Sequence, residues 1–309
     1  MLRRVLLSMS RSRRIRHLVE TAPGSRSVVA RYVPGTAAED AVEATHTLAD
    51  KGLLVSLDHL GEDTTDLAQA TATKEAYLRL LDLLHRDGLT GGAEVSVKLS
   101  AVGQALPGDG EKVALENARA ICEVATAAGT TVTLDMEDHT TTDSTLGILR
   151  ELRQDFPGTG AVLQAYLHRT EADCADLAHA GSRVRLCKGA YKEPESVAFQ
   201  GKRDVDRAYV RAAKVLMAGD GYPMLATHDP RLVAIGEDLA RRLDRPKDSY
   251  EFQMLYGVRP HEQERIVATG QRMRVYIPYG DEWYGYLVRR MAEKPANLAL
   301  FLRSVLTKG

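Results

Sequence analysis

The chain has 309 residues, 44% of them hydrophobic and 27% charged, with a formal net charge of −1 at pH 7. That length and apolar content suffice for a large core and exclude a disordered chain, while a charge near zero gives no global basic field, so no nucleic-acid partner is expected. Three cysteines, Cys122, Cys174 and Cys187, are odd in number and form no C-x-x-C pair. This argues against a disulfide framework or a metal site and fits a reducing cytoplasm.

Residues Met1 to Arg16 set Arg3, Arg4, Arg11, Arg13, Arg14 and Arg16 around Val5, Leu6, Leu7, Met9 and Ile15. They lack the continuous apolar run and cleavage site of a secretory signal. Two readings stay open, a solvated first helix or a basic amphipathic helix that touches anionic lipid. A mitochondrial leader fits less well, because the pattern continues helix-like through Leu18 and Glu20. No stretch approaches the roughly 20 apolar residues that cross a bilayer. Pro23-Gly24 and Pro34-Gly35 break the chain before a predicted helix at Thr36–Asp50. Residues 1–50 are therefore expected to form an N-terminal helical arm on a catalytic barrel of residues 51–309.

From Gly52 onward, short β-rich runs alternate with longer amphipathic ones. The predicted strands are Leu53–Leu57, Glu94–Leu99, Thr131–Met136, Ala161–Tyr166, Arg183–Cys187, Pro223–Thr227, Tyr250–Gln253 and Arg274–Ile277. The predicted helices between them are Leu67–Asp87, Glu111–Ala127, Ser144–Gln154, Glu171–His179, Asp204–Ala218, Pro230–Leu243, Glu262–Ala268 and Glu282–Glu293. Gly88, Gly129 and Gly181 stand past helix ends, as C-caps should. Eight strand-then-helix units predict an α/β fold, a (β/α)8 barrel of the TIM type, with the last helix over its mouth. An open doubly wound sheet shows the same alternation, but the first strand runs into Asp58-His59-Leu60-Gly61-Glu62 rather than a glycine fingerprint. Gly158-x-Gly160 precedes a strand and reads as a turn.

In such a barrel, residues at the C-terminal strand ends converge on one mouth. Those ends carry Asp58 and Glu62, Lys98, Asp135 and Glu137, Gln164, Arg185 and Lys188, Thr227-His228, Gln253, and Tyr276. Lys98 reads as an exposed strand lysine, as an ion pair with Asp135, or as a cation for an anionic substrate group. Arg185 to Tyr191 ends a strand in two cations and a Gly189-Ala190 step, which permits close approach of a flat or phosphorylated cofactor; the alternative is an ordinary turn. Tyr286, Arg289, Arg290 and Glu293 share a helical face. They form either a solvated surface or, tipped over the mouth, a guanidinium clamp for a carboxylate with Glu293 orienting one arginine.

Taken in order, Val97-Lys98-Leu99-Ser100, Leu134-Asp135-Met136-Glu137, Leu163-Gln164-Ala165-Tyr166, Arg185 through Tyr191, Ala226-Thr227-His228, Glu251 through Gly257 and Tyr286 through Glu293 resemble the proline dehydrogenase family, in particular its single-function bacterial members. The resemblance runs from about Gly52 to Asn297. It implies noncovalent FAD across the barrel mouth and oxidation of L-proline to Δ1-pyrroline-5-carboxylate by hydride transfer from C5 to flavin N5. It makes Arg289, Arg290 and Lys98 similar to the carboxylate-binding trio, Arg185 to the residue beside N5, and Asp135 to the mouth carboxylate. Met136, Gln164, Lys188, Gly189, Ala190, Thr227 and His228 resemble FAD contacts. Tyr276, Tyr191 and Leu255 resemble walls around the proline ring, and Glu62 a loop carboxylate pairing with Arg289. Lys192 departs from the aromatic of the long bifunctional relatives. The resemblance further implies a quinone or membrane electron acceptor, cytoplasmic or peripheral membrane placement, and a separate pyrroline-5-carboxylate dehydrogenase downstream. The competing readings are a Schiff-base lyase using Lys98 or Lys188 and a catalytically silent binding barrel.

Overall fold

The structure is a computed structural model and describes residues 29–293, excepting the side chains of residues 289–293. The basic start and the side chains of Arg289, Arg290 and Glu293 lie outside what is described. Helix α1 (Ala38–Ala49) precedes eight strands: β1 Leu54–His59, β2 Ala93–Val97, β3 Val132–Leu134, β4 Ala161–Gln164, β5 Arg183–Cys187, β6 Tyr222–Ala226, β7 Glu251–Leu255 and β8 Arg272–Tyr279. The helices after them are α2 Leu67–Arg86, α3 Gly110–Ala127, α4 Thr142–Asp155, α5 Thr170–Leu177, α6 Lys202–Ala218, α7 Pro230–Arg242, α8 Pro260–Ala268 and α9 Trp283–Glu293.

Local chemistry explains the elements. In α2, the Asp66 side chain caps the start by accepting from Gln69 N at 2.9 Å. Ala70, Thr73, Tyr77, Leu80, Leu81 and Leu84 recur at helical spacing and are buried. Gly88, at φ +70°, follows the helix end, where a left-handed turn favours glycine. In the strands, Val95, Val97, Leu134, Val184, Leu186, Phe252, Met254, Val275 and Ile277 pack into the core shared with the surrounding helices. The alternate strand positions point inward.

All strand pairs are parallel, in the order β3-β2-β1-β8-β7-β6-β5-β4. The ring closes between β3 and β4 through a bridge from Thr133 to Gly160. Gly160, expected only as part of a turn, supplies this seam, and a Cβ there would fall 2.5 Å from Thr133 Oγ1. Helix α1 contributes Ala41 and Leu48 to the main core. A second cluster joins Tyr32, Val33 and Leu60 to Tyr284, Leu287 and Val288 of α9.

Strand ends near the site differ from expectation. β1 continues to His59, so Asp58 lies inside the strand, and β2 stops at Val97, so Lys98 opens a short 3-10 turn at Leu99–Val102. β3 is cut to three residues, ending before Asp135 in its Leu-Asp-Met-Glu string.

Candidate active site

The barrel interior is filled by polar side chains in tiers. At its base, Arg274 forks onto Glu251, with Nε to Oε1 at 2.6 Å and Nη2 to Oε2 at 3.0 Å. Arg183 Nη2 donates to Glu94 Oε2 at 2.5 Å. Above them, Arg185 donates from Nε to Gln253 Oε1 (2.6 Å), from Nη1 to Ser96 Oγ (2.8 Å) and Asp135 Oδ1 (2.7 Å), and from Nη2 to Ser56 Oγ (3.0 Å) and Glu94 Oε1 (3.3 Å). At the top, Lys98 Nζ lies 2.6 Å from Asp58 Oδ2 and 3.6 Å from Asp135 Oδ2. The Tyr276 hydroxyl donates to Asp135 Oδ2 at 2.6 Å and lies 3.4 Å from Lys98 Nζ.

Arg183, Arg185, Arg274 and Lys98 thus offset Glu94, Glu251, Asp135 and Asp58. Such a set is tolerable only when every charge is paired and hydrogen-bonded, since an isolated buried ion costs several kcal/mol. Burial pushes the Glu94 carboxyl up, but Arg183, Arg274 and Arg185 outweigh it and hold Glu94 far below the usual carboxylate range. Burial likewise opposes ionisation of Asp135, and Lys98 and Arg185 overcome it, so Asp135 is lowered. At Asp58 burial wins against Lys98, and its pKa is pushed up to about 6. Burial works against the Lys98 ammonium, but Asp58 and Asp135 hold its pKa above the ordinary lysine value. Away from the tiers, burial pushes Glu137 up to about 7 against two hydrogen bonds from Ser100.

Above this floor opens a cavity of ≈ 480 Å³ at the C-terminal ends of the strands. Lys98, Asp135, Arg185 and Tyr276 face it from below; Met136 just past β3, Gln164 at the end of β4, and Lys188, Gly189, Ala190 and Tyr191 in the loop after β5 line one side. Thr227, His228 and Leu255 line the opposite side, and Glu62 and Tyr286 the rim. Every candidate residue with a described side chain except Glu137 is therefore gathered at one cavity. Glu137 lies just behind it, its carbonyl accepting from Gln164 Nε2 at 2.6 Å. His228 Nε2 accepts from Leu255 N at 2.9 Å, which puts the proton of the neutral ring on Nδ1. Lys188 Nζ is held by Asp206 at 2.5 Å and Asp229 at 3.3 Å.

Lys98 is buried rather than exposed, and it reconciles the other two readings: it pairs with Asp135 more weakly than with Asp58, and it still faces the cavity. The residues that sequence reasoning leaves without a role are Ser56, Asp58, Glu94, Ser96 and Gln253. Their signal is present as polar residues at every second strand position, Glu94-x-Ser96-x-Lys98 and Glu251-x-Gln253, where a packed barrel interior would carry Val, Ile or Leu.

A planar cofactor with a polar edge fits these walls. Gly189 has φ +110°, and a Cβ on it would run into the Tyr166 ring, so this stretch of cavity wall packs on Tyr166 more closely than a side chain permits. Met136, Ala190, Leu255 and Ala226 offer apolar surface, while Gln164 and the fully hydrogen-bonded guanidinium of Arg185 make a polar edge beneath it.

A closed parallel barrel with a charged floor and a mouth cavity lined from many strand ends has the architecture of a barrel enzyme. Residues 41–302 match the family model described as proline dehydrogenase. The chain is 37% identical over 308 residues, the full length of both, to proline dehydrogenase 1 of Bacillus subtilis (strain 168). It is 40% identical over 278 residues, 89% of each chain, to a proline dehydrogenase of Deinococcus radiodurans. Among solved structures it is similar to proline utilization A of Bdellovibrio bacteriovorus inactivated by N-propargylglycine, with a TM-score of 0.81 and 26% identity over 92% of this chain. The chain spans 34% of the length of that structure. The chain belongs to the proline dehydrogenase family.

Proposed function

We propose that this chain oxidises L-proline to Δ1-pyrroline-5-carboxylate with FAD held across the barrel mouth. The observation that carries the reading is Arg185, a buried guanidinium fixed by five hydrogen bonds and set in the cavity floor. When bound, FAD supplies a hydride acceptor, N5, to C5 of proline. Arg185 is a preorganised cation for negative charge that grows above it, and its fixed partners spare any rearrangement. Met136, Gln164, Lys188, Gly189, Ala190, Thr227 and His228 hold the cofactor. Tyr276, Tyr191 and Leu255 wall the proline ring against it.

Tyr286 lines the rim, and helical spacing carries its face to positions 289, 290 and 293. Arg289 and Arg290 bind the substrate carboxylate, and Glu293 and Glu62 orient them. Lys98 adds its field from below while holding Asp58 and Asp135 in place. Electrons pass to a quinone or another membrane acceptor, the product goes to a separate pyrroline-5-carboxylate dehydrogenase, and residues 1–50 form an arm on the catalytic barrel of 51–309. Among the described residues no helix is long and apolar enough to cross a membrane.

The Schiff-base alternative is disfavoured at Lys98, because two carboxylates keep its ammonium protonated and a nucleophilic lysine must lose that proton. The deciding experiment is anaerobic addition of L-proline to the purified protein. The visible flavin absorbance should bleach; a colourless protein, or a flavin spectrum that proline leaves intact, refutes the reading.

A further inference from the structure

The walls assigned to the cofactor straddle the weakest joint of the barrel. Met136 follows β3, while Gln164 and Lys188 to Tyr191 belong to β4 and the loop after β5. Between β3 and β4 the ladder, among the described residues, has only the Thr133 to Gly160 bridge. Something beyond the ladder must keep the two halves of the wall in register at the mouth.

Glu193, in the loop after β5, lies across that gap and is only 7% exposed. Its Oε1 accepts from the backbone N–H of His139, just past β3, at 3.0 Å, and its Oε2 meets His139 Nδ1. The Tyr166 hydroxyl, just past β4, donates to Glu193 Oε1 at 3.3 Å. Tyr166 is also the ring against which Gly189 packs, and its hydroxyl takes a backbone hydrogen bond from Tyr191. The rest of the loop is stitched to the β4 side, with Phe199 N to Tyr166 O at 2.8 Å and His168 N to Val197 O at 2.9 Å. One buried carboxylate therefore joins the ends of β3, β4 and β5 from outside the cavity.

We infer that Glu193 is a positioning residue: through His139 and Tyr166 it clasps the β3–β4 seam and sets the Lys188–Tyr191 wall at the spacing the flavin requires. The inference rests on the flavin reading above, and it concerns the affinity and geometry of that site rather than the chemistry of proline. A carboxylate acts here because it can accept from two or three donors at once, and an amide substituted for it would point a donor at one of them.

The test compares Glu193→Gln and Glu193→Ala with Glu195→Gln, an exposed carboxylate two residues on. FAD is stripped and titrated back by quenching of its fluorescence. Losing one charge-assisted hydrogen bond raises the Kd about tenfold, and Glu193→Ala raises it further, with Glu195→Gln unchanged. Hydrogen exchange of the FAD-free proteins supplies the second readout: residues 136–141 and 188–201 should exchange faster in Glu193→Gln, with the remaining strands unaffected. A variant with lower thermal stability but wild-type Kd and wild-type local exchange overturns the inference. If the unsubstituted protein takes up no FAD, the proposed function fails instead, and the clasp is then decided by hydrogen exchange alone.

Discussion

Replacing Glu137 by glutamine gives the most direct check on how burial is balanced around this site. Glu137 is 7% exposed, and its carboxyl accepts from Ser100 N at 3.1 Å and Ser100 Oγ at 2.6 Å. Burial nevertheless lifts its pKa from 4.5 to about 7. A raised carboxyl pKa means that the folded state binds the proton more tightly than the unfolded chain. Its stabilising contribution is complete below pH 4.5 and is lost as the pH rises through 7. Each tenfold difference in proton affinity between the folded and unfolded states is worth about 1.4 kcal/mol, so the loss reaches on the order of 3 kcal/mol by pH 8. With about 2.1 cal/mol/K of unfolding entropy per residue, that corresponds to roughly 5 °C in Tm for a chain of this length. The amide introduced by Glu137→Gln cannot ionise but preserves the size and one acceptor. Thermal melts of both proteins at half-unit pH steps from about 5 to 8 should show Tm of Glu137→Gln rising relative to wild type across that range. Asp58, also raised, falls out of the difference because both proteins carry it. A difference that is flat with pH, or that slopes the other way, would refute the balance of burial over hydrogen bonding assigned to this carboxyl.

Three further outcomes are expected. Gly189→Ala should abolish FAD retention in a folded protein, since its Cβ would collide with the Tyr166 ring and its φ of +110° disfavours a side chain; a variant that purifies with full flavin content would contradict this. Gly160→Ala should cost about 1–3 kcal/mol through overpacking against Thr133 at the seam, read as a drop in urea midpoint at unchanged m-value. Arg290→Ala should raise the proline KM by about ten- to a hundredfold, the effect of losing a desolvated charge-assisted pair, and Arg289→Ala should act alike. Unchanged KM in both arginine variants would remove the clamp.

The strand and helix pattern is readable to within a few residues because each unit carries its own periodic signal. The sequence predicts α2 at Leu67–Asp87 and it occurs at Leu67–Arg86; β5 is expected and occurs at Arg183–Cys187. Errors gather where tertiary geometry decides. β8 extends at both ends because β1 and β7 flank it and offer ladder partners from Arg272 to Tyr279. Asp135 and Arg185 are legible as charges at strand ends, but their connection is not: they stand 50 positions apart and meet only when the barrel closes. Glu193 carries no local mark, since a lone glutamate in a polar loop looks solvated until the fold buries it.

The tiered ions beneath the mouth have an electrical consequence. Ordinary solvent answers a new charge by turning its dipoles, and that turning takes energy. Opposite charges locked at fixed spacing cannot turn, so the floor around Arg185 acts as a stiff medium whose polarisation is set when the strands fold. That arrangement is built once, by the folding of the strands, and any ligand entering the mouth meets it already in place.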